Sequence, residues 1–132
     1  MALERNKLAA VVEDFAVTYR TGAVDHLQDR LAPDVIWHGV DPDLTCHNRD
    51  EVMQVFRSQA KESFRLDQIE VIDAGAKVVL CLRSTDVSDP DRTAHIFQVF
   101  TFAGDRIVRM QDFHSRHDAL RAAAVSDRAT WS

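Results

Sequence analysis

Apolar periodicity changes character half-way along this chain, and that change limits the possible folds more than any other feature. In the first half the recurrences are helical. Leu8, Val11, Val12, Phe15, Ala16 and Tyr19 follow the spacing of one helical face and Gly22 supplies a stop, which predicts a helix over about 3–20. Ala23–Leu31 reads as a second, short helix with Val24, Leu27 and Leu31 on one side, ended by Pro33. Asp34–Gly39 has the β-branched and aromatic content of a strand, and a loop over 40–47 follows. Asn48, with Glu51 three residues later, opens a third helix carrying Val52, Met53, Phe56 and Ala60. Beyond it the runs are β-like: Leu66–Ile72, Lys77–Thr85, Thr93–Phe102 and Arg106–His114. Turns at Ala74-Gly75-Ala76, Asp89-Pro90-Asp91 and Ala103-Gly104-Asp105 separate them. Ser115 with Asp118 caps a last helical turn through Leu120, and 125–132 reads as a frayed tail. Helices first and an antiparallel meander after them indicate an α+β fold, with the helices on one face of a curved sheet.

Composition narrows the function classes. The 132 residues suit one domain, 1–132, and 45% hydrophobic with 28% charged residues is ordinary for a globular chain. A formal net charge of -5 speaks against nucleic acid, since no basic stripe is present to displace counterions from phosphate. Met1–Lys7 runs straight into mixed charge without an apolar signal core, and no uncharged run approaches the ~20 residues of a membrane span. Cys46 and Cys81 match no zinc spacing and cannot build a disulfide framework, so free thiols in a reducing cytoplasm are expected. A single core of this size is thin, and pairing with a second copy would thicken it.

The segments Leu31–His38, Asn48–Arg57 and Phe102–Phe113, in this order and spacing, resemble the NTF2-like superfamily. Within it they resemble the SnoaL-like and ketosteroid-isomerase-like small domains, over Val11 to Leu120. The resemblance implies a cone: a strongly curved, mixed or antiparallel sheet wrapped around a pocket, with the N-terminal helices on its concave side. It also implies homodimers through the outer sheet face, where Phe97, Val99 and Thr101 lie opposite Gln98. Relatives include isomerases, polyketide cyclases, epoxide hydrolases, dehydratases and proteins that only bind, so the fold leaves the chemistry open.

Family positions then nominate residues. His38 stands where isomerase-like members carry the proton-moving aspartate, and an imidazole with a pKa of about 6.5 suits that work; the competing role is a histidine hydrogen-bonded at the cavity mouth. Gln98 falls at the position of the isomerases' protonated acid and Phe15 at that of their tyrosine. Phe15 has no donor, which speaks against the steroid isomerase mechanism. Tyr19, one turn on, offers a hydroxyl or packs in the core. Alternation along the last strand puts Val108, Met110, Asp112 and His114 on one face. Asp112 is a candidate acid or base, as late-strand aspartates are in cyclase-like relatives, or a structural acid paired with a backbone amide, Arg83 or Arg116. Arg83 is ambiguous: the isomerase-like register turns Val79, Cys81 and Arg83 inward, whereas a hydrophobic count prefers Val78, Leu80 and Leu82. Trp37 is expected to face away from the pocket, opposite His38. Phe100 shares a face with Ile96, Gln98 and Phe102, a mostly apolar lining suited to a small hydrophobic carbonyl compound. His114 and His117 lack the spacing and the accompanying carboxylate of a metal site, so neither metal nor cofactor is expected.

These residues give two functional expectations. One is a cofactor-independent proton-transfer enzyme of isomerase, cyclase or dehydratase type. In it His38 and Asp112 divide the acid and base roles, Gln98 orients an oxygen, and Phe15, Tyr19, Phe100 and Met110 shape the pocket. The other is a non-catalytic ligand-binding or dimerisation domain.

Overall fold

The apolar stripe from Leu8 to Tyr19 lies on helix α1 (Ala2–Thr21), which stops where Gly22 takes a positive φ of 82° and donates its N–H to the Tyr19 carbonyl. The computed structural model describes residues 2–41, 43–60, 64–75, 77–86 and 89–131; side chains are described within 7–123, apart from 42, 60–65, 76, 86–88, 90 and 92. A 3₁₀ segment (Val24–Arg30) follows α1, then strands β1 (Leu31–His38) and β2 (Thr45–Cys46) and helix α2 (Arg49–Ala60). Four longer strands come next: β3 (Phe64–Asp73), β4 (Lys77–Asp86), β5 (Asp89–Ala103) and β6 (Arg106–Phe113). Helix α3 (Arg116–Trp131) closes the order. The strands form one curved, unclosed sheet in the order β2-β1-β6-β5-β4-β3, with β1 parallel to β6 and every other pair antiparallel.

Several boundaries differ from expectation, each for a local reason. Pro33 does not end the 3₁₀ segment; the chain is extended from Leu31, and Pro33 lies inside β1. It sits where the β1–β6 register shifts between Leu31 and Ile36, a stretch in which a missing N–H costs the ladder nothing. The two-residue β2 was hidden in the loop expected over 40–47, being too short to show a period. Asp89, expected in a turn, opens β5, and residues 87–88 lie outside the described residues. Helix α3 runs past Leu120 to Trp131, while the side chains of the expected tail lie outside the described residues. Helix α2 begins as its cap predicts: Asn48 Oδ1 accepts the Glu51 N–H at 2.9 Å, and Glu51 reaches back to the His47 N–H at 2.7 Å.

Each face of the sheet has its own core. On the concave face Val12, Phe15 and Ala16 of α1 and Val52, Met53 and Phe56 of α2 pack against Val78, Leu80 and Leu82 of β4, Phe100 of β5 and Met110 of β6. Burial of each such large side chain contributes about 1.5–3 kcal/mol, so the hydrophobic count wins the register of β4 and turns Arg83 outward. A bulge modifies β6. Thr101 pairs with Arg109 and Phe102 with Ile107, which leaves Val108 as the extra residue, so Ile107 and Met110 both face the concave core. On the convex face Ala119 and Ala123 of α3 cover Val79, Cys81 and Val99, with Phe97 and Phe113 alongside. Phe97 and Val99, the ground for an outer-face dimer, are therefore covered within the same chain. Among the described residues no helix is long and apolar enough to cross a membrane.

Candidate functional site

The concave core is incomplete at one end, where a cavity of about 150 Å³ remains. Helical periodicity brings its roof together: Phe15 and Tyr19 are one turn apart on α1, and Phe56 and Gln59 one turn apart on α2. Phe56 meets Phe15 and Tyr19 edge-on, with ring centroids 5.6 and 5.7 Å away, and Trp37 at 5.2 Å. Such aromatic pairs hold their geometry beyond simple burial, at about 0.5–1.5 kcal/mol each. The Tyr19 hydroxyl donates to Gln59 Oε1 at 2.6 Å, tying the two helices together over the opening.

The floor is sheet, and one acid stands on it. Asp112 of β6 pairs across the sheet with Gln98 of β5, and Trp37 of β1 lies one strand away on the other side. Gln98 Nε2 donates to Asp112 Oδ1 at 2.9 Å and Trp37 Nε1 donates to the same oxygen at 2.8 Å. Burial pushes the Asp112 carboxyl above its ordinary value of 3.8, and the two N–H donors pull it partly back. Both donors are neutral, so they orient the carboxyl without neutralising it. Leu80 and Leu82 supply the apolar wall that makes the desolvation felt. The result is an acid with one oxygen fixed, held near an apolar space that a small molecule can enter.

Of the nominated residues, Asp112, Gln98, Phe15 and Tyr19 line this cavity. Phe100 and Met110 do not; both are fully buried beneath it, Phe100 against the Phe15 ring at 5.7 Å. His38 is a correction. With Val35 and Trp37 turned into the core, alternation along β1 places His38 on the opposite side, away from the cavity lining. The same parity corrects Trp37, expected outside and found inside. Arg83 faces outward and pairs with Asp67 at 4.0 Å rather than with Asp112. His114 lies exposed beyond the end of β6. Among the described residues no group of three or more His, Cys, Asp or Glu side chains gathers as metal ligands would.

Trp37, Phe56 and Gln59 were missed as site residues. Parity from Val35 would have found Trp37, and the helical step from Phe56 would have found Gln59. A second, shallower groove of about 380 Å³ runs outside the cavity between β2 and α2, along Thr45, Cys46, Glu51, Gln54 and Ser58, and Gln59 lines both spaces. Cys46 pairs with Trp37 in the sheet, and burial followed by the charges of Glu51 and Asp112 pushes its thiol up.

The family model for the SnoaL-like domain matches residues 12–110, which takes in the cavity-lining residues Tyr19, Trp37, Gln59, His95 and Gln98 but stops two short of Asp112. The chain belongs to the SnoaL-like domain family. No curated protein matches this SnoaL-like chain in sequence. Solved structures share its NTF2-like fold. A protein from Xanthomonas campestris, provisionally named a polyketide cyclase, superposes with a TM-score of 0.70 at 16% identity, over 91% of this chain and 98% of that one. One from Kribbella flavida, provisionally named a ketosteroid isomerase, gives 0.71 at 15% identity, over 82% of this chain and 77% of that one. An NTF2-like protein of unknown function from Burkholderia pseudomallei gives 0.66 at 24% identity, over 87% and 95%. At these identities the likeness is one of fold.

Proposed function

We propose that this SnoaL-like protein binds a small hydrophobic carbonyl compound in the cavity. Asp112 then moves a proton on the carbon beside the carbonyl, without a cofactor. The observation that carries this reading is the Asp112 carboxyl, fixed through Oδ1 by Trp37 and Gln98 at the edge of an apolar space. A carboxyl whose pKa burial raises is a stronger base when ionised and is more readily protonated, so one group can take a proton and return it. Isomerases, cyclases and dehydratases all use such a step. With His38 outside the cavity, Asp112 takes both roles. A cavity of about 150 Å³ is the size that admits a benzene-like ring, so a one-ring ligand fits it and a four-ring steroid does not.

Cyclohexanone is a suitable probe. In deuterium oxide the wild-type protein is expected to speed exchange of its α-protons, read by proton NMR, and Asp112→Asn to abolish the effect. Equal exchange by the two proteins would remove Asp112 as the base. The alternative is a ligand-binding domain without catalysis, favoured by a cavity below the roughly 300–1,000 Å³ usual for ligand sites. Binding of cyclohexanone with no exchange above the solvent rate would select it.

Two further parts of the proposal concern setting. The free thiols Cys46 and Cys81 suit a reducing compartment, the cytoplasm. A homodimer through the outer sheet face is proposed around Thr101 and Arg109, which pair across β5 and β6 and are not among the residues of the convex core under α3. Only monomer in sedimentation at micromolar concentration would dismiss that contact.

A further inference from the structure

We propose that Gln59 is the donor that holds the ligand's carbonyl oxygen in this cavity. The inference rests on the reading of Asp112 as the group that moves the proton, and it names the partner that such a step requires. When Asp112 removes a proton from the carbon beside a carbonyl, the C–H electron pair becomes the new C=C bond. The C=O π pair moves onto oxygen. The negative charge that develops there, in a space walled by Phe15, Leu80 and Leu82, needs a hydrogen bond. Asp112, then protonated, returns the proton to carbon and the pair moves back, so the cycle closes without another reactant.

His95 also lines the cavity, its ring stacked on that of Phe97 with centroids 6.2 Å apart, and the other side-chain donors there are divided by their partners. Trp37 Nε1 and Gln98 Nε2 both end on Asp112 Oδ1. Gln59 is tied by its other end: its Oε1 accepts the Tyr19 hydroxyl at 2.6 Å. A carboxamide has one acceptor end and one donor end, so fixing the oxygen leaves the Nε2 hydrogens as the end Gln59 presents to a ligand. The same bond fixes the orientation of the amide, which a donor to a developing charge requires if it is to spend nothing on reorganisation. Gln59 also stands where the cavity meets the outer groove, so a ligand entering from that side passes it. Tyr19 becomes a positioning residue, acting on the ligand through Gln59.

Infrared difference spectra of bound cyclohexanone test the contact directly, because a hydrogen bond lowers the carbonyl stretching frequency. The stretch is expected below its value in hexane for the wild-type protein, and to return toward that value in Gln59→Leu. Gln59→Glu guards against misfolding: its carboxylate still accepts the Tyr19 hydroxyl but has no hydrogen to donate, and it is expected to lose the shift as well. Exchange of the α-protons should fall about a hundredfold in both variants with KM changed only a few-fold. An unchanged stretch in Gln59→Glu, or no binding of cyclohexanone at millimolar concentration, would overturn the inference. The two proposals separate through Asp112→Asn. A lost exchange with the stretch still shifted supports both roles. Exchange retained in Asp112→Asn, with the shift lost in Gln59→Glu, removes Asp112 as base and leaves Gln59 as the oxygen's donor.

Discussion

The two hydrogen bonds to Asp112 both come from neutral groups, and this sets how its charge affects stability. Burial raises the carboxyl's folded pKa above its ordinary value, so within that window the native state binds more protons than the unfolded chain. Stability is therefore favoured below the ordinary carboxylate pKa and declines as pH rises through the raised one. Asp112→Asn keeps the shape and removes the charge. It is expected to raise Tm at neutral pH, with the gain gone near pH ~3, where both side chains are neutral. Thermal unfolding followed by circular dichroism at the two pH values checks this; an equal gain at both would mean that charge is not the cause. Trp37→Phe removes one of the two donors. It should cost about 1–3 kcal/mol in urea unfolding and push the Asp112 carboxyl further up, seen as a later midpoint in a carbon NMR titration of its side chain.

At the scale of elements, α2 and the β1–β2 connection decide where the cavity opens. Asn48 caps α2 and thereby fixes Phe56 and Gln59 over the sheet, so Asn48→Ala should cost about 1 kcal/mol in chemical denaturation. Gly39 has a sharper role. Its N–H donates to the Leu44 carbonyl at 2.7 Å, and a Cβ there would lie 2.7 Å from that same oxygen and 2.8 Å from the Leu44 Cβ. Gly39→Ala must therefore push the connection apart, displacing Val40 at the cavity rim, and a loss of roughly 1–3 kcal/mol is expected. A weaker affinity for cyclohexanone should accompany it in a Trp fluorescence titration. The capped start of α2 and the four long strands were legible because each carries many residues that agree on one period. Asp112 was legible as an inward acid because β6 recovers its alternation after the bulge. The parity of β1 was not: a short strand interrupted by Pro33 offers too few positions to fix which of Trp37 and His38 faces in. Arg83 was undecided for a related reason, since β4 is apolar on both faces and only the helices above and below it choose between them.

Across the whole molecule the sheet separates two cores that serve different ends. The convex core under α3 is tightly filled, with Val79 and Ala119 fully buried; the concave one keeps a cavity. Ala119→Asp places a charge in the filled side and should cost at least about 2 kcal/mol. Trp37 fluorescence and cyclohexanone affinity, read below the unfolding transition, should stay as in the wild type, because the sheet lies between. The parallel pairing of β1 with β6 has a different consequence, one of timing. It brings Trp37 beside Asp112 across 75 residues of chain, so this contact carries a large loop-closure entropy and belongs among those that slow folding. A ribosome making the protein would deliver both helices of the roof and most of the sheet before the acid emerges. The cavity is then finished only when the last strand slides in next to the first, and a nascent chain has no complete pocket until that moment.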